Sequence, residues 1–137
     1  MVTNDQIIKF CHDNLVIDYL DVKVLERDAQ IILELTVDER HVNLYNICHG
    51  GVLVTMADTA MGAACLALGK KVVTISLTTE FMHAVPFAGK IFTRATVLHD
   101  GRQTMTCECE ILDAAQKLFA KVHAIFFVIE TLEEGRP

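Results

Sequence analysis

Residues 43–68, NLYNICHGGVLVTMADTAMGAACLAL, restrict this chain more than any other stretch. Behind the His49-Gly50-Gly51 triplet runs an apolar segment, 52–68, whose one charge is Asp58; Gly69 stops it and Lys70-Lys71 follow. A helix that is apolar on all sides has to be wrapped by other structure. A run of 17 residues broken by an aspartate also falls short of the about 20 apolar residues of a membrane span. The segment therefore predicts a buried central helix carrying one carboxylate, and no membrane insertion.

That carboxylate needs an explanation. An ionised group in an apolar interior is paired, or its pKa rises. One reading makes Asp58 a structural acid held by hydroxyls such as Thr55 and Thr59. The other makes it a general base or nucleophile. The glycines ahead of it favour the second, because they let another group approach the exposed N–H donors of a helix start, where negative charge is stabilised. Such donors serve as an oxyanion hole. Gly50 and Asp58 are eight residues apart, hence roughly 12 Å along one helix axis. One carbonyl cannot touch both within a chain, so a shared reaction requires two chains and predicts an isologous dimer with two sites.

At 137 residues the chain suits one domain, 1–137, with a real core. A hydrophobic content of 52% against 22% charged residues excludes disorder, and a net charge of −6 argues against nucleic-acid binding. The first residues lack a basic region followed by an apolar one, so no secretory signal is expected. Five cysteines within apolar periodic segments suit buried thiols in a reducing, cytoplasmic compartment.

Thr3-Asn4-Asp5-Gln6 has the form of a capping box, and Ile7, Ile8, Phe10 and Cys11 follow at helical spacing, predicting a helix over 1–14. Segments 19–26 and 31–37 flank Arg27-Asp28-Ala29-Gln30 as a hairpin. After the central helix, Val73, Ile75, Leu77 and Phe81 are expected to point one way, and Thr74, Ser76, Thr78 and Glu80 the other. Strands follow over 91–98, 104–112 and 118–129, joined by turns at 99–102, whose Asp-Gly marks a tight turn, and 113–117. The tail 130–137 is expected to fray. Short turns between consecutive strands favour an antiparallel sheet. A single sheet curled round the apolar helix gives an α+β architecture.

Asn43, then His49-Gly50-Gly51, then Asp58 nine residues after the histidine, and later Gly101-Arg102 between strands form a specific combination. In it the chain resembles the hotdog-fold acyl-CoA thioesterases of the phenylacetate-degradation (PaaI-like) branch, over about residues 15–129. Similar thioesterases place a serine or threonine on the strand after the helix, matched by Ser76. Two departures stand out: segment 81–86 is one residue longer than usual, and the turn 113–116 lacks a glycine.

The resemblance implies hydrolysis of an acyl-CoA to a free acid and coenzyme A. It implies that the Gly50 amide polarises the carbonyl, with Gly51 beside it, while Asp58 of the facing subunit attacks or activates water. His49 and Asn43 would orient substrate and water, and Ser76 would hold the water. Arg102 and Lys90 would meet the coenzyme A phosphates, with Arg94 and Lys121 as further cations. No metal or other cofactor is required, and a homodimer, assembled as a dimer of dimers, is implied. Cys107 and Cys109 are too close in sequence for the usual closed zinc site and read as core. Two competing readings are a non-catalytic acyl-CoA sensor on the same scaffold and a hotdog dehydratase.

Overall fold

A computed structural model of the chain describes residues 2–132. Helix α1 (Asn4–Asp13) opens on the expected capping box: the Thr3 hydroxyl accepts from the Gln6 amide, and the Gln6 side chain accepts from the Thr3 amide. The chain then makes one more helical turn, α2 (Leu15–Tyr19), where the sequence suggested the approach to a strand. That turn carries Ile17 into the core and leaves Tyr19 exposed, so β1 (Lys23–Arg27) starts later than expected. Strand β2 (Gln30–Thr36) pairs with it through a two-residue turn, Asp28-Ala29, both residues having positive φ. Such a turn matches the twist of a hairpin.

Central helix α3 (Gly50–Ala67) ends at Gly69, whose φ of +80° costs a glycine nothing. Strands β3 (Lys70–Phe81), β4 (Lys90–Asp100), β5 (Thr104–Leu112) and β6 (Leu118–Thr131) complete a six-stranded antiparallel sheet of order β1-β2-β4-β5-β6-β3. Met105, Cys107, Cys109 and Ile111 of β5 all face the core, as their alternation requires. Glu130 and Thr131 belong to β6 rather than to a frayed tail, and the Leu132 amide donates to the Gly69 carbonyl at 2.6 Å; 133–137 lie outside the described residues. The turn after β5 manages without glycine, because Gln116 takes a φ of +68° and Asp113 accepts from the amides of Ala115 and Lys117.

The helix is not sheathed on all sides. On length and composition it could cross a bilayer, yet it lies across β2–β6 of the sheet, and eight of its 18 residues are buried. Leu53, Met56, Ala57, Ala60, Met61, Ala63, Cys65 and Leu66 are buried, whereas Thr55, Asp58, Thr59 and Gly62 are only half-buried. One sheet can cover one side of a helix, and the residual face is left for something else. All five cysteines are free and buried. Burial pushes the thiols of Cys48 up to about 11 and Cys109 up to about 12. The Cys65 and Cys107 sulfurs touch at 3.5 Å, and their hydrogen bond, with burial, pushes the Cys65 thiol up.

Candidate active site

The start of α3 is built by the loop in front of it. His41 is 1% exposed and spends both ring nitrogens on backbone: Nδ1 accepts from the Asp38 amide at 2.9 Å, and Nε2 donates to the Leu20 carbonyl at 2.6 Å. Its own carbonyl accepts from the His49 amide at 2.7 Å. His41 therefore ties the entry of α3 to the turn after α2, a role that nothing in its sequence surroundings revealed. Replacing His41 by alanine should strand two buried polar groups and cost about 2–4 kcal/mol of stability. Urea unfolding checks this, and an unchanged midpoint would contradict it.

His49 is the exposed N-cap residue of α3 and makes no side-chain cap. The N–H groups of Gly50 and Gly51 find no acceptor among the described residues, leaving two donors free at the positive end of the helix. The Phe81 ring lies across Gly50, where an added Cβ would sit 3.1 Å from its Cζ. A cleft of about 290 Å³ opens here, lined by Asn43, Gly50, Phe81, Met82 and His83 among others. Segment 81–85 thus falls beside Gly50. Asn43 Oδ1 accepts from the Tyr45 amide at 2.9 Å, which fixes the loop and leaves its NH2 uncommitted.

Asp58 sits elsewhere, in a separate cleft of about 420 Å³ between α1, α3 and the start of β3. The Thr55 and Thr59 hydroxyls donate to backbone carbonyls one turn back, not to the acid. Asp58 Oδ1 instead accepts from Thr74 Oγ1 at 2.7 Å. Ser76 is not brought to the acid. A bulge at Ile75 shifts the register, so that Thr74 pairs with Phe126 while Ser76 pairs with Ile125. Phe126 is 1% exposed and Ile125 is 44% exposed, which places Thr74 on the helix side of the sheet and Ser76 on the outer side. The same bulge breaks the expected alternation, and Val73 and Ile75 are exposed. An uninterrupted period of two puts Thr74 and Ser76 on one face, and only the bulge separates them. Thr74→Val should lower kcat by about tenfold, the worth of one hydrogen bond to a charged group, with KM little changed. Equal kcat in the two proteins would remove Thr74 from the site.

The cations separate as well. Lys90 opens β4 and Arg102 lies in the turn beyond its far end, so the two stand at opposite ends of an 11-residue strand. Lys90 is taken up by Glu34 at 2.8 Å, Arg94 by Glu110 at 2.7 Å and Lys121 by Glu108 at 3.3 Å. Arg102 is exposed and has no ion-pair partner among the described residues. Its turn is anchored by Lys70, which binds Asp100 at 2.6 Å and the Gly101 carbonyl at 2.7 Å. Gly101 is required there, because an added Cβ would lie 2.5 Å from the Thr104 carbonyl. Among the described residues no group of three or more His, Cys, Asp or Glu could hold a metal.

One chain thus presents two half-sites: free helix-start donors in one cleft, and an acid with a hydroxyl in another. The thioesterase superfamily model matches residues 45–120, the segment that contains both. The chain belongs to that superfamily and has its hotdog fold. Acyl-coenzyme A thioesterase PaaI of Escherichia coli is 37% identical over 103 residues, 74% of this chain and 73% of that protein. The structure of the E. coli PaaI protein from the phenylacetic acid degradation operon superposes with a TM-score of 0.83 at 27% identity, covering 94% of this chain and 95% of PaaI. Thioesterase HI1161 of Haemophilus influenzae superposes with a TM-score of 0.82 at 26% identity, over 100% of this chain and 96% of its own. The expected class, a thioester hydrolase of PaaI-like type, stands.

Proposed function

We propose that the protein hydrolyses acyl-CoA thioesters as a homodimer, each site joining Asp58 and Thr74 of one protomer to Gly50, Gly51, His49 and Asn43 of the other. The observation that carries this is the separation of the two half-sites along β3. Thr74 touches Asp58, and seven residues on, Phe81 touches Gly50. Strand β3 is a free, 12-residue sheet edge. Such an edge is a template for pairing with another copy. Antiparallel pairing about a two-fold near Leu77-Thr78 sets Thr74 opposite the partner's Phe81, and so carries Asp58 towards the partner's Gly50. The half-buried face of α3 would line the shared site in the same step.

In this arrangement the Gly50 and Gly51 amides receive the charge that develops on the thioester oxygen. Thr74 engages one oxygen of Asp58 and leaves the other to attack the carbon or to take a proton from water. The coenzyme A thiolate leaves readily, so polarisation and a positioned oxygen suffice, with no metal or other cofactor. Asn43 and His49 hold the substrate from the opposite side. Arg102, free on its anchored turn, meets a coenzyme A phosphate; Lys90, held by Glu34, does not. Exposed Val73, Ile75, Ile125 and Phe127 on the outer sheet face favour back-to-back packing of two dimers. Five buried free thiols fit a reducing, cytoplasmic setting, and residues 1–137 act as one domain.

The test is release of free thiol from a range of acyl-CoAs by the purified chain, with its mass in solution measured alongside. Turnover by a dimer or tetramer is expected. Tight binding without turnover would identify a sensor, and an enoyl product a dehydratase; a monomer with full activity would refute the shared site.

A further inference from the structure

The cleft that holds Asp58 continues past the acid along α3. Its walls include Phe10 and Cys11 of α1, Ala63 and Leu66 of α3, Val72 of β3 and Ile129 of β6. Phe10 is 49% and Ile129 58% exposed, so a single chain leaves apolar surface open beside its acid. Burial pushes the Cys11 thiol up to about 11, which keeps this wall neutral. The two cations at the rim are already engaged, Lys70 with Asp100 at 2.6 Å and Lys71 with Glu130 at 3.4 Å. An acyl group that ends in a carboxylate would have to displace Asp100 or Glu130 to pair with either. Apart from Asn14, Thr59 and these two lysines, the lining around Asp58 is apolar and suits hydrocarbon.

Gly62 stands one helical turn beyond Asp58 on the same face. An added Cβ there would meet nothing within 4 Å, and its φ is not in the left-handed region. Neither packing nor backbone conformation calls for glycine, and mid-helix glycine is less favourable than alanine. What glycine supplies at this position is space next to the acid.

We infer that this cleft takes the acyl chain of the thioester and that Gly62 sets how long a chain enters, an inference that rests on the acyl-CoA thioesterase reading above. From Asp58 to Leu66 the helix rises about 12 Å. An extended hydrocarbon advances about 1.25 Å per carbon, given bonds near 1.52 Å and angles near 111°. The cleft therefore matches linear, uncharged acyl groups of about nine or ten carbons.

The experiment measures kcat/KM for propionyl-, hexanoyl- and decanoyl-CoA with the parent, Gly62→Ala and Gly62→Leu proteins, and the mass of each in solution. The decanoyl-to-propionyl ratio is expected to fall by at least about tenfold in Gly62→Leu, the scale on which an apolar pocket discriminates by size. Gly62→Ala should move it the same way by less, which keeps the test open if the leucine variant folds poorly. An unchanged ratio across the three proteins would overturn the inference while leaving the thioesterase reading intact. A loss of assembly in Gly62→Leu would also overturn it, by showing the cleft to be a subunit contact. Failure of the parent to cleave any thioester would sink the thioesterase reading itself, and is recognised by the absence of parental activity.

Discussion

Asp58→Asn is expected to fold and assemble like the parent and to lose at least about 100-fold in kcat, within the range assigned to acid–base groups. The substitution keeps shape and leaves an amide oxygen to accept from Thr74, so the 2.7 Å contact that orients the side chain can persist. What disappears is the capacity to take a proton or to attack carbon. Because Asp58 is half-buried and outside the core, its removal as a charge should leave unfolding by urea nearly where it was. Circular dichroism and the solution mass establish the intact fold; a thiol-release assay reads the loss. A variant that keeps its rate would take Asp58 out of the chemistry, and with it the proposal that the acid in the helix is the working group.

The second large effect concerns a hydrogen that no side chain carries. Gly50→Pro deletes the N–H at the first position of α3, where proline is tolerated because no intrahelical bond is lost. His49, the residue ahead, has φ −62° and ψ 132°, the extended conformation that precedes proline most comfortably. The helix should therefore form, while the donor that polarises the carbonyl is gone. A fall of about 100- to 1000-fold in kcat is expected, the usual cost of one oxyanion-hole donor. Gly50→Ala separates the donor from the space: it keeps the N–H and meets only the Phe81 ring at 3.1 Å, an exposed side chain able to swing away. Its loss should be far smaller. Similar losses in the alanine and proline variants would assign Gly50 a role in room for substrate rather than in charge stabilisation.

The sequence disclosed the parts of this molecule that depend on near neighbours. The capping box of α1, the Asp28-Ala29 turn, the alternation of β5 and the helix after His49 are all set within a few residues, and each is present. What it concealed depends on partners far along the chain. The bulge at Ile75 exists only in the pairing of β3 with β6, and it exchanges Ser76 for Thr74 as the hydroxyl beside the acid. Glu34 meets Lys90 across 55 intervening positions, a pairing that no local pattern announces. The His41 ring reaches back to Leu20 to secure the entry of α3. The apolar composition of α3 suggested enclosure on every side, yet one sheet covers only one face. The uncovered face is where the acid and Gly62 lie.

The most direct measurement of the shared site is activity of a hybrid made by refolding or co-expressing Asp58→Asn chains with Gly50→Pro chains. Each variant alone should be nearly inactive. In a mixed dimer one site inherits both lesions and the other neither, so random mixing should restore about one quarter of parental turnover. If Asp58 and Gly50 of the same chain served one site, every site in every mixture would carry a lesion and no activity would return.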